Sequence, residues 1–195
     1  MGTRSPGLKS RRPPRRVRSR VLIVTEGVKT EIQYLEGLIQ HLRTSGFSVR
    51  SAQTRGVGRD PLSVLAAARA MRLADRDGYD QVWVVVDVDD HDSLSHCIIE
   101  GSKAGIPVII SNPCFEVWLL WHFQDHASHQ DSRGLSSLLT KCGHVGKSIS
   151  ATFPFDQYPA AVCRALKTVR EHSIIGPNPS SSMPSLVAAL AAPPS

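Results

Sequence analysis

Gln81–Asp87 constrains this chain more than any other segment, because Val82, Trp83, Val84, Val85 and Val86 form an unbroken apolar run that ends on an aspartate. A run without alternation suits a strand covered on both faces, and such strands belong to parallel sheets with helices packed on either side. The neighbouring segments agree. Residues 21–24 are a short β-branched run closed by Thr25-Glu26-Gly27, after which Ile32, Leu35, Leu38, Ile39 and Leu42 recur at helical spacing. Residues 47–53 suit a second strand, Gly56-Val57-Gly58 a loop, and Asp60-Pro61 the N-cap and first residue of a helix through about Ala74. A helix over residues 93–104 and a strand over 106–110 complete an alternation of strands and helices.

After Ser111 the pattern turns helical. Asn112-Pro113 reads as the cap and first turn of a very apolar helix reaching about Phe123, followed by helices over 134–141 and 157–171. Leu186, Val187 and Leu190 suit one short docking helix before Pro193. The expected fold is therefore α/β: an open, mostly parallel sheet of about four strands flanked by helices, with a helical C-terminal part. Its expected organisation is a basic arm over residues 1–20, an α/β core over 21–111, and a helical region over 112–195 packed on that core. The length of 195 residues suits one such domain.

Charge is unevenly distributed. Residues 1–20 hold eight Lys or Arg and no acid, which leaves 15 basic against 17 acidic residues in the remainder. The arm also carries Pro6, Pro13 and Pro14 with few large apolar side chains, so burial cannot offset its ordering entropy. Its arginines, Arg11, Arg12, Arg15 and Arg16 among them, suit counterion-releasing contact with nucleic acid phosphates, although a solubilising leader would share that composition. Four cysteines without a C-x-x-C pair do not make a disulfide-built secreted module, and they read as mostly reduced, buried thiols. No apolar run reaches membrane-spanning length, and no apolar stretch follows the arginines in signal-peptide position. The expectation is a cytoplasmic protein with no membrane partner.

In an open parallel sheet, ligands bind beyond the carboxyl ends of the strands, so acids placed there carry the most information. Glu26 stands just past the first strand, and the following glycine lets the backbone turn without obstructing the site. Asp87 and Asp89 leave the third strand as D-x-D, and residues two apart on an extended segment point the same way. Aspartates also end strands and cap helices. Glu26 adds a third acid at the same edge if the two strands are neighbours, and the set then suits Mg²⁺ or Mn²⁺, which take hard oxygen ligands and leave positions for substrate phosphate.

Three stretches together resemble the RloB-like proteins, which carry a divergent Toprim-type fold: V-L-I-V-T-E-G-V-K-T-E from Val21, V-V-V-D-V-D-D-H from Val84, and I-S-N-P-C-F-E-V-W-L-L-W-H-F from Ile110. A weaker match begins at Asn178. The resemblance covers residue 21 to the end, and Val28 departs from it where relatives often carry a second acid. It implies that Glu26 is a general acid/base or metal ligand and that Asp87 and Asp89 hold Mg²⁺. It also implies a setting in restriction-associated loci and phage abortive infection. Toprim relatives include topoisomerases, primases and nucleases acting on phosphodiester bonds.

Asn112 and Glu116 open an apolar helix, where a glutamate buried unpaired would cost several kcal/mol, so Glu116 should have a partner. A first-turn acid is also stabilised by the helix dipole, by about 0.3–1 kcal/mol. The likeness to the RloB-like S-N-P-x-F-E segment assigns both residues to the substrate site, together with Lys29. Gly143-His-Val-Gly-Lys-Ser148 is two residues short of a Walker A loop and follows no clear strand, so it is not read as one. Lys147 resembles a lysine of the family, and it and Arg164 are candidates for phosphate contact, as alternatives to solvated cations. His122, His126 and His129 have helical spacing but no fourth ligand, which argues against zinc, and Trp118 and Trp121 suit the core better than a base-stacking platform.

The leading functional expectation is a Mg²⁺-dependent phosphoryl-transfer enzyme, a nuclease acting on RNA or DNA in phage defence. The alternative is a non-catalytic nucleic-acid-binding or partner-sensing component of a defence operon, with a partner protein of that operon. A receiver-like phosphoacceptor is disfavoured, because Thr25-Glu26 and Ser111-Asn112-Pro113 replace the acid pair and lysine that a receiver places at its strand ends.

Overall fold

Side chains of the first strand, β1 (Arg20–Thr25), alternate between two separate cores: Val21 and Ile23 join one, Leu22 and Val24 the other. That alternation is the pleat of a strand buried on both faces. The computed structural model describes residues 20–46, 51–58, 60–88, 93–168 and 175–191. The basic arm through residue 19, with Arg11, Arg12, Arg15 and Arg16, and the second acid of the D-x-D, Asp89, lie outside them.

The chain continues through α1 (Thr30–Thr44), β2 (Ser51–Gly56), α2 (Pro61–Ala74), β3 (Gln81–Asp87), α3 (Ser93–Lys103) and β4 (Val108–Asn112). Then follow α4 (Glu116–Leu120), α5 (Ser132–Lys141), α6 (Tyr158–Leu166), β5 (Ser180–Ser181) and α7 (Met183–Ala191). The sheet order is β2-β1-β3-β4-β5, with parallel pairing throughout except for the antiparallel β5. The α/β expectation stands, with a fifth, two-residue strand at the edge.

One face of the sheet is covered by α2 and α3, through Val64, Leu65, Ala68, Leu94 and Cys97 against Val82, Val84 and Val86. The other is covered by α1 and the C-terminal helices, with Tyr34, Leu35, Leu38, Ile39 and Leu42 against Trp118, Trp121, Leu186, Val187 and Leu190. Both tryptophans of α4 and its C-cap are fully buried, as expected of core residues. Helix α2 starts where its sequence requires: Asp60 accepts from the N–H groups of Leu62 and Ser63 at 3.1 and 3.2 Å, with Pro61 in the first turn. Such a cap contributes about 1 kcal/mol.

Three boundaries differ from the sequence expectation. β2 runs to Gly56, because its register is set by backbone pairing from Arg20↔Ser51 to Thr25↔Gly56 and an edge strand needs no apolar pattern; residues 47–50 lie outside the description. β4 starts at Val108, since Ile106 turns back under α3 with its N–H donating to Gly101 at 2.9 Å. Asn112 does not cap a helix. It ends β4, pairs with Ser180 and donates from Nδ2 to the Gly176 carbonyl at 2.9 Å, and α4 begins only at Glu116.

The helix expected over 157–171 runs as α6 to Leu166, and residues 169–174 lie outside the described residues. Cys97 and Cys114 are buried, Cys142 half-buried and Cys163 exposed, all as free thiols. No helix among the described residues is long and apolar enough to cross a membrane.

Candidate functional site

β1 and β3 are neighbours in register, with Thr25 opposite Val85, so the segments leaving their carboxyl ends lie side by side. The Glu26 N–H donates to the Val85 carbonyl at 2.9 Å, and the Asp87 N–H reaches the Glu26 carboxylate at 3.4 Å. On the other side, Gly58 donates to the Glu26 carbonyl at 2.8 Å, which ties the turn after β1 to the loop after β2. Thr25, fully buried, closes that turn by donating from Oγ1 to the Gly27 carbonyl at 2.6 Å. Glycine is needed at Gly56, where a Cβ would stand 2.6 Å from both the Gly27 oxygen and the Val28 Cα, so the two loops touch backbone to backbone.

These contacts form one wall of a cleft of about 330 Å³, lined by Glu26, Lys29, Glu31, Asp87, Glu116 and Lys147 among others. Of the carboxylates and lysines singled out from the sequence, Glu26, Asp87, Glu116, Lys29 and Lys147 are brought together here. Lys147 arrives from 117 residues away: the Thr30 hydroxyl, at the start of α1, donates to its carbonyl at 2.9 Å. Nearby, the Ile149 N–H donates to Gln33 Oε1 at 2.9 Å and fastens the same loop.

Glu31 is a member that the sequence reading did not assign. Its carboxylate folds back over Gly27, where a Cβ would lie 1.9 Å from Oε2, and it serves the first turn of a helix whose N-cap, Lys29, makes no side-chain cap bond. Burial raises the Glu31 carboxyl above its ordinary value; the charges of Glu116 and Glu26 raise it further, against hydrogen bonds from its own N–H and that of Gly27. The available signal was its place in the first helical turn directly after the T-E-G loop. Cys114 reports the same field, since burial first, then Glu116 and Asp87, push its thiol upward.

Two of the candidates are not among the residues lining this cleft. Asn112 is used in the β4–β5 junction described above. Arg164 donates from Nε to Asp125 and from its guanidinium to the Trp121 carbonyl, tying α6 to the end of α4. The histidine spacing does not make a metal face either, because α4 ends at Leu120 and His122 turns into the core against Tyr34.

The donor set of the cleft is hard oxygen, and the repulsion by which Glu116 and Glu26 raise the proton affinity of Glu31 is of the kind a divalent cation relieves. Among the described residues no three His, Cys, Asp or Glu side chains are gathered as a preformed metal cage. Mg²⁺ needs only one or two carboxylates, completing its shell with water and substrate phosphate, so the residues present fit it.

Compared with protein-family models, residues 21–190 match the model described as RloB-like protein. No curated protein and no solved structure matches the chain.

Proposed function

The chain belongs to the RloB-like protein family, and from that premise and the chemistry of its cleft we propose that it is a Mg²⁺-dependent phosphoryl-transfer enzyme of the Toprim type, a nuclease acting on RNA or DNA in phage defence. The observation that carries this reading is the convergence of Glu26, Asp87 and Glu116, from three separate strand ends and helix starts, on one cleft that also holds Lys29 and Lys147. Acids alone would repel a polyanion. Acids interleaved with lysines can hold a cation and a phosphodiester together.

Asp87 and Glu26, with Asp89 beyond the described residues, are the groups that would hold Mg²⁺. When bound, the ion would supply charge stabilisation at the phosphoryl oxygens and orient the leaving group. Glu26 is tethered through its backbone on both sides and accepts from the Asp87 N–H at Oε2, so its carboxylate is positioned before substrate arrives and is suited to take a proton at its other oxygen. Lys29 and Lys147 reach the cleft from the start of α1 and from the loop beyond α5, and their ammonium groups would grip non-bridging phosphate oxygens. Glu31 and Glu116 add to the negative field, which favours occupancy by a divalent cation.

The test is cleavage of end-labelled RNA, single-stranded DNA and duplex DNA by purified protein with Mg²⁺ or Mn²⁺, beside Glu26→Ala and Asp87→Ala. The expected result is cleavage of one polymer by the wild type and a loss of about 10²–10⁴-fold in each variant. Equal cleavage by all three proteins would sink the site. Nucleic acid binding without cleavage in any protein would favour the non-catalytic component of a defence operon. In cells, the wild type and not Glu26→Ala is expected to reduce phage plaque formation.

A further inference from the structure

A second cleft, of about 450 Å³, adjoins the acidic one and shares Glu116 and Lys147 with it. Its other walls are Ser132, Arg133, Ser136 and Leu139 of α5, with His144 and Gly146 of the following loop. That loop is the Gly143-His-Val-Gly-Lys-Ser148 segment, which is not a Walker A loop by spacing and which the acidic cleft uses only through Lys147. Its shape is specified locally: Gly143 and Gly146 both have positive φ, at 85° and 75°, where other residues are strained. The His144 N–H donates to the Leu139 carbonyl at 2.9 Å, and Thr30 holds Lys147 at the far end.

The charge balance of this cleft differs from that of its neighbour: its lining sets Arg133 and Lys147 against a single carboxylate, Glu116. Arg133 and Lys147 come from different elements, and among the described residues neither has an ion-pair partner, whereas Arg20, Arg69 and Arg164 are each paired with an acid. Ser132 and Ser136, one turn apart on α5, add two hydroxyls. His144 is buried, and desolvation lowers its pKa against the opposing charge of Glu116. Between His144 and Gly146 in the chain, Val145 is 72% exposed, an apolar group able to pack against a sugar or base.

We propose that this second cleft binds a phosphate of the nucleic acid strand adjacent to the one held in the acidic cleft, with Arg133 and Lys147 as cationic contacts and Ser132 and Ser136 as hydroxyl donors. The inference rests on the nucleic acid reading of the acidic cleft and deepens it: the ligand is a strand with at least two phosphates, not a mononucleotide. The physical need is plain, because a carboxylate cleft repels the polyanion on either side of the reacting group, and paired cations at its exit offset that repulsion. Lys147 belongs to both clefts and would lie between the two phosphates.

The experiment is fluorescence anisotropy of a labelled single-stranded decanucleotide in EDTA over a salt series, with the full chain, Arg133→Glu, Arg133→Lys, and Arg43→Glu at the opposite end of α1 as control. The expected result is an affinity loss of about tenfold or more for Arg133→Glu with a salt slope shallower by about one, substantial recovery in Arg133→Lys, and a control within about twofold of wild type. Wild-type affinity in Arg133→Glu, or an equal loss in Arg43→Glu, overturns the subsite. Displacement of the oligonucleotide by inorganic phosphate or a mononucleotide at equal concentration of phosphate groups overturns the strand assignment. Because binding in EDTA reads no chemistry, an Arg133-specific loss alongside absent cleavage would fail the nuclease reading and keep the subsite; intact binding in Arg133→Glu alongside Glu26-dependent cleavage would do the reverse.

Discussion

Glu31 and Tyr34 stand one turn apart on α1, yet the fold treats these two ionisable groups in opposite ways. Tyr34 is fully buried and satisfied: its hydroxyl donates to His122 Nε2 at 3.1 Å, His122 Nδ1–H donates to the Trp118 carbonyl at 3.0 Å, and Phe115, Trp118 and Phe153 meet its ring edge-on. Glu31 instead lines a cleft with like charges, and its proton affinity rises because of burial and of Glu116 and Glu26. The first arrangement lowers the energy of the folded chain by pairing the phenol and imidazole that it buries. The second raises it, through a repulsion between carboxylates that the proposed divalent cation would relieve.

The contrast can be broken most severely from the core side. Trp118→Ala removes a fully buried indole from the cluster around Tyr34 and is expected to cost about 3–5 kcal/mol, read as a lower urea midpoint. A smaller effect is expected from acid. Burial pushes His122 down to about 4 from an ordinary 6.5, so its contribution is complete above pH 6.5 and is lost as pH falls from there through about 4. Urea midpoints should decline across that window, and His122→Gln should flatten the decline; an unchanged slope would mean that the imidazole does not titrate with unfolding.

The smallest effect, of opposite sign, belongs to Glu31. Its folded pKa is raised, so its contribution is present below the unfolded carboxylate value and is lost as pH rises through the folded one. Glu31→Gln, which keeps an acceptor for the Gly27 N–H, should therefore raise the melting temperature at pH 7.5 slightly, and the gain should shrink at pH 4 or with added Mg²⁺. A destabilised Glu31→Gln would instead make this residue a structural cap.

Glu26 and Asp87 were legible in the sequence because a parallel sheet directs attention to its carboxyl edge, and the neighbouring register of β1 and β3 supplied the remaining condition. Glu116 was legible for a different reason, as an acid that an apolar helix could not bury. Glu31 was not, since an acid in the first turn of an amphipathic helix is ordinary and its approach to the cleft depends on the backbone of Gly27. Asn112 and Arg164 carry suitable chemistry for a substrate site, but a junction with Gly176 and an ion pair with Asp125 use it for structure. No sequence pattern separates a hydrogen-bonding side chain that binds ligand from one that binds its own chain.

By itself the sequence determined the strand and helix alternation, the central position of β3 and the α2 cap, because these rest on periodicity and on contacts a few residues long. Only the tertiary structure decided that the polar residues 51–56 would pair as β2, that Asn112 would end a strand, and that Lys147 would line the same cleft as Glu26. Each of these depends on backbone hydrogen bonds or loop contacts between residues far apart in the chain, whose partners no local pattern specifies.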